Sequence, residues 1–185
     1  AASDPFLFEN AIYVLTPAAG VPDGVCRVFA DFVRRLGARP MQMDPDTHDR
    51  TAAAVSHLPQ LMATALVDEV GQLHESDGLP LQMAAGGFRD MTRIASSPYE
   101  MWRDICRTNS GPIREMIDRY IDRLRSLRNK VGDDGLEDDF SFANRIRSGI
   151  PKDSKGFLHP LHEILLVVED RPGVIADVAA YLSEA

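Results

Sequence analysis

The chain has 185 residues and a mass of 20.4 kDa, with 44% hydrophobic and 26% charged residues, which excludes a disordered or collagen-like polymer. Acidic residues outnumber basic ones by 28 to 20, and the formal charge of −8 repels phosphate backbones, which argues against nucleic acid binding. No apolar run approaches the ~20 residues that cross a bilayer, and the first residues lack a signal-peptide pattern. The sequence therefore predicts a cytoplasmic protein without membrane association.

The cysteines, Cys26 and Cys106, stand far apart and outside any Cys-x-x-Cys motif or Cys/His cluster. This usage is typical of a reducing compartment and argues against a zinc site. We therefore expect both to be buried thiols. His159 and His162 flank Pro160 in a linker-like stretch, where solvated side chains are expected, so the sequence predicts no metal site.

The first segment of the chain has the order strand, helix, strand. Residues 11–16 form an apolar β-type run, residues 23–36 carry apolar side chains at helical spacing, and residues 39–43 predict a second short strand. Gly37 supplies the helix stop. Such a unit is typical of a parallel α/β sheet. Because two strands do not make that sheet alone, we expect further chain upstream.

The second segment, residues 46–149, is predicted to be almost wholly helical. Its first helix begins near residue 46 or 47 and ends at residues 76–78. Pro59 lies inside this helix. Proline has no N–H and its ring clashes with the carbonyl four residues back, so we predict a kink beside His57.

Further helices follow in the same segment. One follows the Gly-Gly pair at residues 86–87, and another begins at Ser97, which has capping-box spacing to Glu100, with proline at the first helical position. The next helix opens at Ser110. An acidic loop over residues 132–139 then leads to a short helix around residues 143–146.

The helix that opens at Ser110 carries an apolar stripe beneath a charged outer face. The stripe consists of Ile113, Ile117, Tyr120, Leu124, Leu127 and Val131. Such a stripe must be covered by other apolar groups. Two arrangements remain open at this stage, packing inside its own subunit and a helix–helix dimer interface.

The end of the chain is incomplete as a folding unit. Residues 150–158 have the Pro, Gly, Lys and Ser composition of a linker. A strand is predicted over residues 163–169, and a turn leads from it to a helix over residues 174–182. One strand and one helix do not make a domain.

The sequence contains no G-x-G-x-x-G, P-loop, H-E-x-x-H or G-x-S-x-G motif. The candidates for chemistry are instead Arg89 and Arg93, which lie four residues apart on one helix face after Gly86. Two guanidinium forks on one face suit a dicarboxylate, because each fork can bind a carboxylate through two hydrogen bonds. The alternative is that both arginines form surface ion pairs with neighbouring acidic residues, which are Asp90, Glu100 and Asp104.

His57 and Gln60 are three residues apart at the predicted kink and share a helix face. They could direct polar groups into a cleft, although a hydrogen-bonded core histidine is the alternative for His57. Trp102 is the only tryptophan and is either a core residue or the wall of an apolar ligand pocket.

Four segments of the sequence resemble those of a known protein family. DPFLFENAIYVLTP, HDRTAAAVSHLP, GGFRDMTRIASSPYEMWRDI and IPKDSKG resemble, in this order, the prephenate dehydrogenase family, and ILLVVEDRPGVIADVAAYL resembles the start of an ACT regulatory domain. The resemblance implies NAD-dependent oxidative decarboxylation of prephenate to 4-hydroxyphenylpyruvate in tyrosine biosynthesis.

The implied fold is mainly α. Residues 46–149 would be a helical dimerisation and substrate-binding domain, preceded in residues 1–45 by the last β-α-β of a Rossmann-type NAD-binding domain. Residues 159–185, after the linker, would be the first β-α of an ACT domain. The family's glycine-rich loop and catalytic histidine and serine would precede residue 1. The resemblance therefore implies a homodimer, no catalytic residue in this chain, NAD bound mainly by an absent segment, and no dehydrogenase activity of the chain alone.

The resemblance also implies roles for individual residues. Arg93 matches the family arginine that holds a prephenate carboxylate, and Arg89 matches a basic position near the same site. Gly86 matches a glycine that a ligand approaches closely, Trp102 a pocket wall, and His57 the histidine of the S-H-L-P motif.

Gln60 departs from the family pattern, because many members that use prephenate have a second histidine directly after S-H-L-P. Glutamine keeps hydrogen-bonding capacity but cannot become cationic. Arogenate, or dual specificity as in a cyclohexadienyl dehydrogenase, therefore remains an alternative, as does a non-catalytic dimerisation and ligand-sensing module. The ACT resemblance implies a tyrosine or phenylalanine effector near Asp170, Gly173 and Val174.

Overall fold

A computed structural model describes residues 7–132, 134–150, 168 and 171–184, and these are mainly helical, as predicted. In chain order the elements are β1 (Ile12–Leu15), α1 (Asp23–Arg35), β2 (Arg39–Gln42), α2 (Pro45–Ala52), a π-helical turn (Ala53–His57), α3 (Leu58–Asp77), α4 (Gly86–Thr92), a 3-10 turn named here the arginine turn (Arg93–Ser96), α5 (Tyr99–Thr108), α6 (Ser110–Lys130), a second 3-10 turn (Asp134–Leu136), α7 (Glu137–Ser148) and α8 (Val174–Glu184).

The first three elements form the predicted strand, helix, strand unit. β1 and β2 pair in parallel, with Ile12 opposite Arg39. A small core of Leu15, Val33 and Ala38 joins α1 to the sheet. Gly37 makes the tight exit from α1 with a φ of +85°, a conformation that glycine adopts without a steric penalty.

α1 is amphipathic, but the two-stranded sheet covers only one side of it. Val33 is 1% exposed, whereas Val28 is 72% exposed. Cys26 lies on the same helix and is half-buried, as is Cys106 on α5. The prediction of two buried thiols is therefore wrong, because in the described residues neither helix is covered on all sides.

The helix that was predicted to contain a kink is divided into α2, the π-turn and α3. α2 begins at Pro45, one residue before the predicted start, because the Asp44 carboxylate caps it by accepting a 2.8 Å hydrogen bond from the Thr47 N–H. In the π-turn, the Leu58 N–H donates to the Ala53 carbonyl, five residues back. The next residue, Pro59, has no N–H to donate, so the disturbance that proline causes takes the form of a wider helical turn.

Three predictions about the later helices need correction. α4 contains the Gly-Gly pair, because it begins at Gly86 rather than after the pair. α5 begins at Tyr99 without a capping box: the Ser97 hydroxyl donates instead to the Ile94 carbonyl at 2.8 Å, and Pro98 occupies the N-cap position. α7 is longer than predicted, because the acidic residues assigned to a loop form its first turn, where negative charge is favoured.

The stripe of α6 divides into two halves. Ile113 is buried, and Ile117 and Tyr120 are half-buried, since α6 packs against α2, the π-turn, α3 and α5. Further along, Leu124 is 46% exposed and Val131, which follows the helix, is 70% exposed. The first half is thus covered within its own subunit, whereas in the second half Leu124 and Val131 are exposed and Leu127 is half-buried among the residues described.

The end of the chain is described only in part. α8 begins at Val174, where the prediction placed a helix, and the Arg171 guanidinium donates to the Asp177 carboxylate at 2.6 Å. Several predictions lie outside the described residues. They concern the linker beyond residue 150, His159, His162, Asp170, and the strand over residues 163–169 apart from residue 168. Within the described ranges, no helix is long and apolar enough to cross a membrane.

Candidate substrate site

His57 lies at the end of the π-turn and is held by residues that are distant in sequence. Its Nδ1 is 3.1 Å from the amide nitrogen of Asn109, and the same nitrogen donates to the Asp49 carbonyl at 2.8 Å. The Trp102 ring stands nearly perpendicular to the imidazole, at 85° with 6.0 Å between ring centroids. The structure therefore brings His57 and Trp102 together.

The surroundings of His57 favour its neutral form. Burial lowers the pKa of His57 below its ordinary value because it penalises the charged imidazolium. The carboxylate of Asp49 opposes this change in pKa, and His48 reinforces it. His48 itself lies against Asp49, with 2.9 Å between Nδ1 and the carboxylate oxygen.

Gln60 lies one helical turn beyond His57 and is only 6% exposed. Its amide nitrogen donates to the Ile94 carbonyl at 3.0 Å. This hydrogen bond ties α3 to the arginine turn, with which α3 is also in contact. The Gln60 side chain is thus engaged within the fold, at the base of the segment that carries Arg93.

Arg89 and Arg93 are both exposed, Arg89 near the end of α4 and Arg93 at the start of the arginine turn. Among the described residues neither guanidinium forms an ion pair, and Asp104 pairs instead with Arg103 at 3.1 Å. The surface ion pairs considered from the sequence are therefore not formed there. Two cationic groups close together in sequence are left available to an anionic ligand.

Gly86 and Trp102 complete the predicted set. A Cβ atom built on Gly86 would meet no atom within 4 Å, so the described part of the chain does not itself require glycine there. The Trp102 side chain is half-buried, and its Nε1 is buried with no hydrogen-bond partner among the described residues. Gly173 has a φ of +89° at the start of α8, next to Val174.

Asn109 was missed by the sequence reasoning. It is 6% exposed and occupies the break between α5 and α6, from which its amide reaches both α2 and the π-turn. An asparagine directly before Ser-Gly-Pro, between two apolar helical patterns, was the available signal. In the part of the chain that the structure describes, no group of three or more His, Cys, Asp or Glu residues could hold a metal ion.

The described chain thus combines a parallel β-α-β unit with a helical region, in which two exposed arginines have no carboxylate partner and a histidine ring stands edge-on to a tryptophan ring. The family model described as "Prephenate dehydrogenase, dimerization domain" matches residues 44–144. The chain belongs to the prephenate dehydrogenase family.

Its relatives agree with this assignment. The chain is 36% identical to prephenate dehydrogenase of Bacillus subtilis over 99% of its own length and 50% of the relative's. It is 30% identical to cyclohexadienyl dehydrogenase of Zymomonas mobilis, over 80% of the chain and 52% of the relative. Prephenate dehydrogenase from A. aeolicus, solved with hydroxyphenyl propionate and NAD+, superposes with a TM-score of 0.60 at 26% identity, over 76% of this chain and 49% of that one. The chain spans about half the length of the curated relatives it matches.

Proposed function

We propose that the chain supplies the substrate-binding and dimerisation part of an enzyme that converts prephenate to 4-hydroxyphenylpyruvate by NAD-dependent oxidative decarboxylation in tyrosine biosynthesis. Family membership and the Bacillus subtilis relative support the reaction. The observation that carries the proposal is the pair of exposed arginines, Arg89 and Arg93, for which the described residues provide no carboxylate. Prephenate has two carboxylates to offer them.

In this proposal Arg93 binds one substrate carboxylate through its guanidinium fork, and Arg89 adds positive charge beside it. The open space at Gly86 lets the ligand approach the backbone. Trp102 and His57 form a wall of the pocket with their perpendicular rings. Gln60 contributes by holding the arginine turn through the Ile94 carbonyl, so that Arg93 is placed before the substrate arrives.

The substrate alternative stays open. Gln60 provides no second histidine, and the Zymomonas mobilis relative is named cyclohexadienyl dehydrogenase. A preference for arogenate, or dual specificity, is therefore the second candidate for this same site. The two substrates differ by a side-chain amino group, which an assay with both compounds tests directly.

The described residues do not form a recognisable NAD site. The sequence has no glycine-rich dinucleotide-binding motif between the end of β1 and the start of α1. We propose that NAD, present in the A. aeolicus relative, is held mainly by a segment outside this chain, and that residues 1–45 are the end of a Rossmann-type domain. The exposed apolar side of α1 supports this, since further sheet would cover it. The chain alone is then expected to have no dehydrogenase activity and no catalytic residue of its own.

The family model's description supports a homodimer, for which residues 46–149 are the proposed domain. The exposed apolar side chains of α6 and α7 are the proposed contact region. Leu127, Phe140 and Phe142 line a cavity of about 610 Å³ between these helices, and Phe140 is 73% exposed. Such a surface is typical of an interface.

Residues 159–185 remain a proposed ACT start, with tyrosine or phenylalanine as its effector near Asp170, Gly173 and Val174. The cytoplasmic location also stays a prediction. The helix α8 and the positive φ of Gly173 agree with a turn that a ligand could approach.

The experiment compares two polypeptides, the 185-residue chain and the full-length product of the gene that encodes it, in an assay of NADH formation from prephenate. We expect NADH from the full-length product and none from the chain alone. NADH from the chain alone would contradict the proposed location of NAD binding. A full-length product that binds prephenate without reducing NAD would favour the non-catalytic sensing module.

A further inference from the structure

The amide of Asn109 can adopt only one orientation. Its nitrogen lies 2.8 Å from the Asp49 carbonyl oxygen, which can only accept a hydrogen bond. The opposite orientation would place the amide oxygen against that carbonyl, with two acceptors in contact. The amide nitrogen has two hydrogens, and the second points to Nδ1 of His57 at 3.1 Å.

We infer that Asn109 fixes the neutral His57 ring with its proton on Nε2, which makes His57 a hydrogen-bond donor to the ligand rather than a base. Since the Asn109 N–H donates to Nδ1, Nδ1 must accept with its lone pair. A neutral imidazole carries one proton, which must then reside on Nε2. The ring has no second lone pair with which to take a proton from a substrate.

The surroundings hold this arrangement in place. Asn109 is 6% exposed and its two partners lie on different elements, so the amide cannot turn without breaking both hydrogen bonds. The perpendicular Trp102 ring, 6.0 Å away, limits rotation of the imidazole. Protonation of Nδ1 would place two donors against each other. Asn109 is therefore a positioning residue that acts through His57.

The inference rests on the proposed function only where it places His57 at the substrate site. An Nε2–H suits an oxygen acceptor, such as a carboxylate or hydroxyl oxygen of the substrate. The tautomer itself is a property of the chain and can be measured without substrate or NAD.

The direct test is nitrogen NMR of the chain with ¹⁵N-labelled histidine, at an alkaline pH where the ring is neutral. Comparison with the His57→Gln variant identifies the signals of His57. We expect a bare, pyridine-type Nδ1 and a protonated, pyrrole-type Nε2. A protonated Nδ1 in the unmodified chain would overturn the inference.

The variant Asn109→Asp adds a second readout, because a carboxylate cannot donate and would accept from a protonated Nδ1. We expect the tautomer to reverse in Asn109→Asp and to remain unchanged in Asn144→Asp, which alters an exposed asparagine on α7. If Asn109→Asp does not fold, Asn109→Ala takes its place. This variant only removes the donor, so we expect a mixture of the two His57 tautomers. An unchanged Nδ1 signal in a folded Asn109 variant would also overturn the inference.

Failure of the proposed function would look different. In the full-length gene product, Asn109→Ala should lower kcat/KM for prephenate roughly tenfold, the size expected for one misdirected hydrogen bond. If the NMR shows the expected tautomer and kcat/KM is unchanged, the tautomer stands and the place of His57 in the substrate site is wrong.

Discussion

The two sides of the candidate site treat their polar groups in opposite ways. On the histidine side, the Asn109 amide nitrogen is hydrogen-bonded within the fold to both the Asp49 carbonyl and Nδ1 of His57. On the arginine side, Arg89 and Arg93 are exposed and find no carboxylate in the described chain. Polar groups that are hydrogen-bonded to one another fix the local geometry, whereas charged groups without a partner in the described chain are available to bind a ligand. Gln60 joins the sides, because it holds the arginine turn against α3.

The substitution Arg93→Ala, made in the full-length gene product, tests the role of the arginine side and should have the largest effect. We expect a higher KM for prephenate and a loss in kcat/KM worth roughly 2–5 kcal/mol, because a substrate carboxylate would lose its charged partner. The melting temperature should not change, since Arg93 is exposed and unpaired in the described chain. Arg119→Ala, at an exposed arginine of α6 that likewise forms no ion pair in the described chain, is the matched control. An unchanged kcat/KM would assign Arg93 a structural role.

The next largest effect concerns the exposed half of the α6 stripe. Leu124→Asp should raise the dissociation constant of the homodimer by roughly 100-fold or more, because a carboxylate would have to be desolvated at the interface. Sedimentation of the chain measures this. Leu73→Asp, at a 52% exposed position of α3, is the control and should leave the dimer intact. A dimer that survives Leu124→Asp would remove this part of α6 from the interface.

The variant Gln60→Ala tests the hydrogen bond that joins the two sides of the site. Its loss leaves the Ile94 carbonyl without its donor and opens a small space, so the free energy of unfolding should fall by about 1–3 kcal/mol. KM for prephenate should rise as well, because Arg93 would no longer be held in position. Gln72→Ala, at an exposed glutamine of the same helix, should change neither quantity. Loss of stability with an unchanged KM would separate Gln60 from the substrate site.

The smallest expected effect is a pH dependence that comes from His57. Because its folded pKa lies below the ordinary value of 6.5, the unfolded chain binds more protons there, and stability rises with pH through this range. The contribution is fully present above about pH 6.5 and decreases as the pH falls below it. Denaturant titrations at several pH values should show a shallower slope in His57→Gln. An equal slope in both proteins would mean that His57 does not contribute.

The sequence predicts local structure here better than it predicts the contacts of the site. The parallel unit, the end of α3 at Gly78 and the start of α6 follow from apolar spacing and glycine, which act over a few residues. The capping box at Ser97 did not form, because α5 begins at Tyr99 with Pro98 rather than Ser97 at its N-cap, and the Ser97 hydroxyl donates to the Ile94 carbonyl.

The hydrogen-bond partners of the polar residues could not be predicted in this way, because they lie far away in sequence. Gln60 bonds to a residue 34 positions away, and Asn109 to residues 52 and 60 positions away. No local pattern encodes such pairs, so Asn109 was missed and the hydrogen bond from Gln60 to the arginine turn was not predicted. The arginines could be proposed from the sequence because a four-residue spacing is a local property, but the predicted shared helix face is wrong, since Arg89 lies in α4 and Arg93 in the arginine turn.

NADH formation with prephenate and with arogenate, measured side by side on the full-length gene product, is the decisive test of the proposed function. We expect NADH formation with prephenate and a lower kcat/KM in Arg93→Ala. Absence of NADH with prephenate, or an unchanged kcat/KM in Arg93→Ala, would contradict the proposed function.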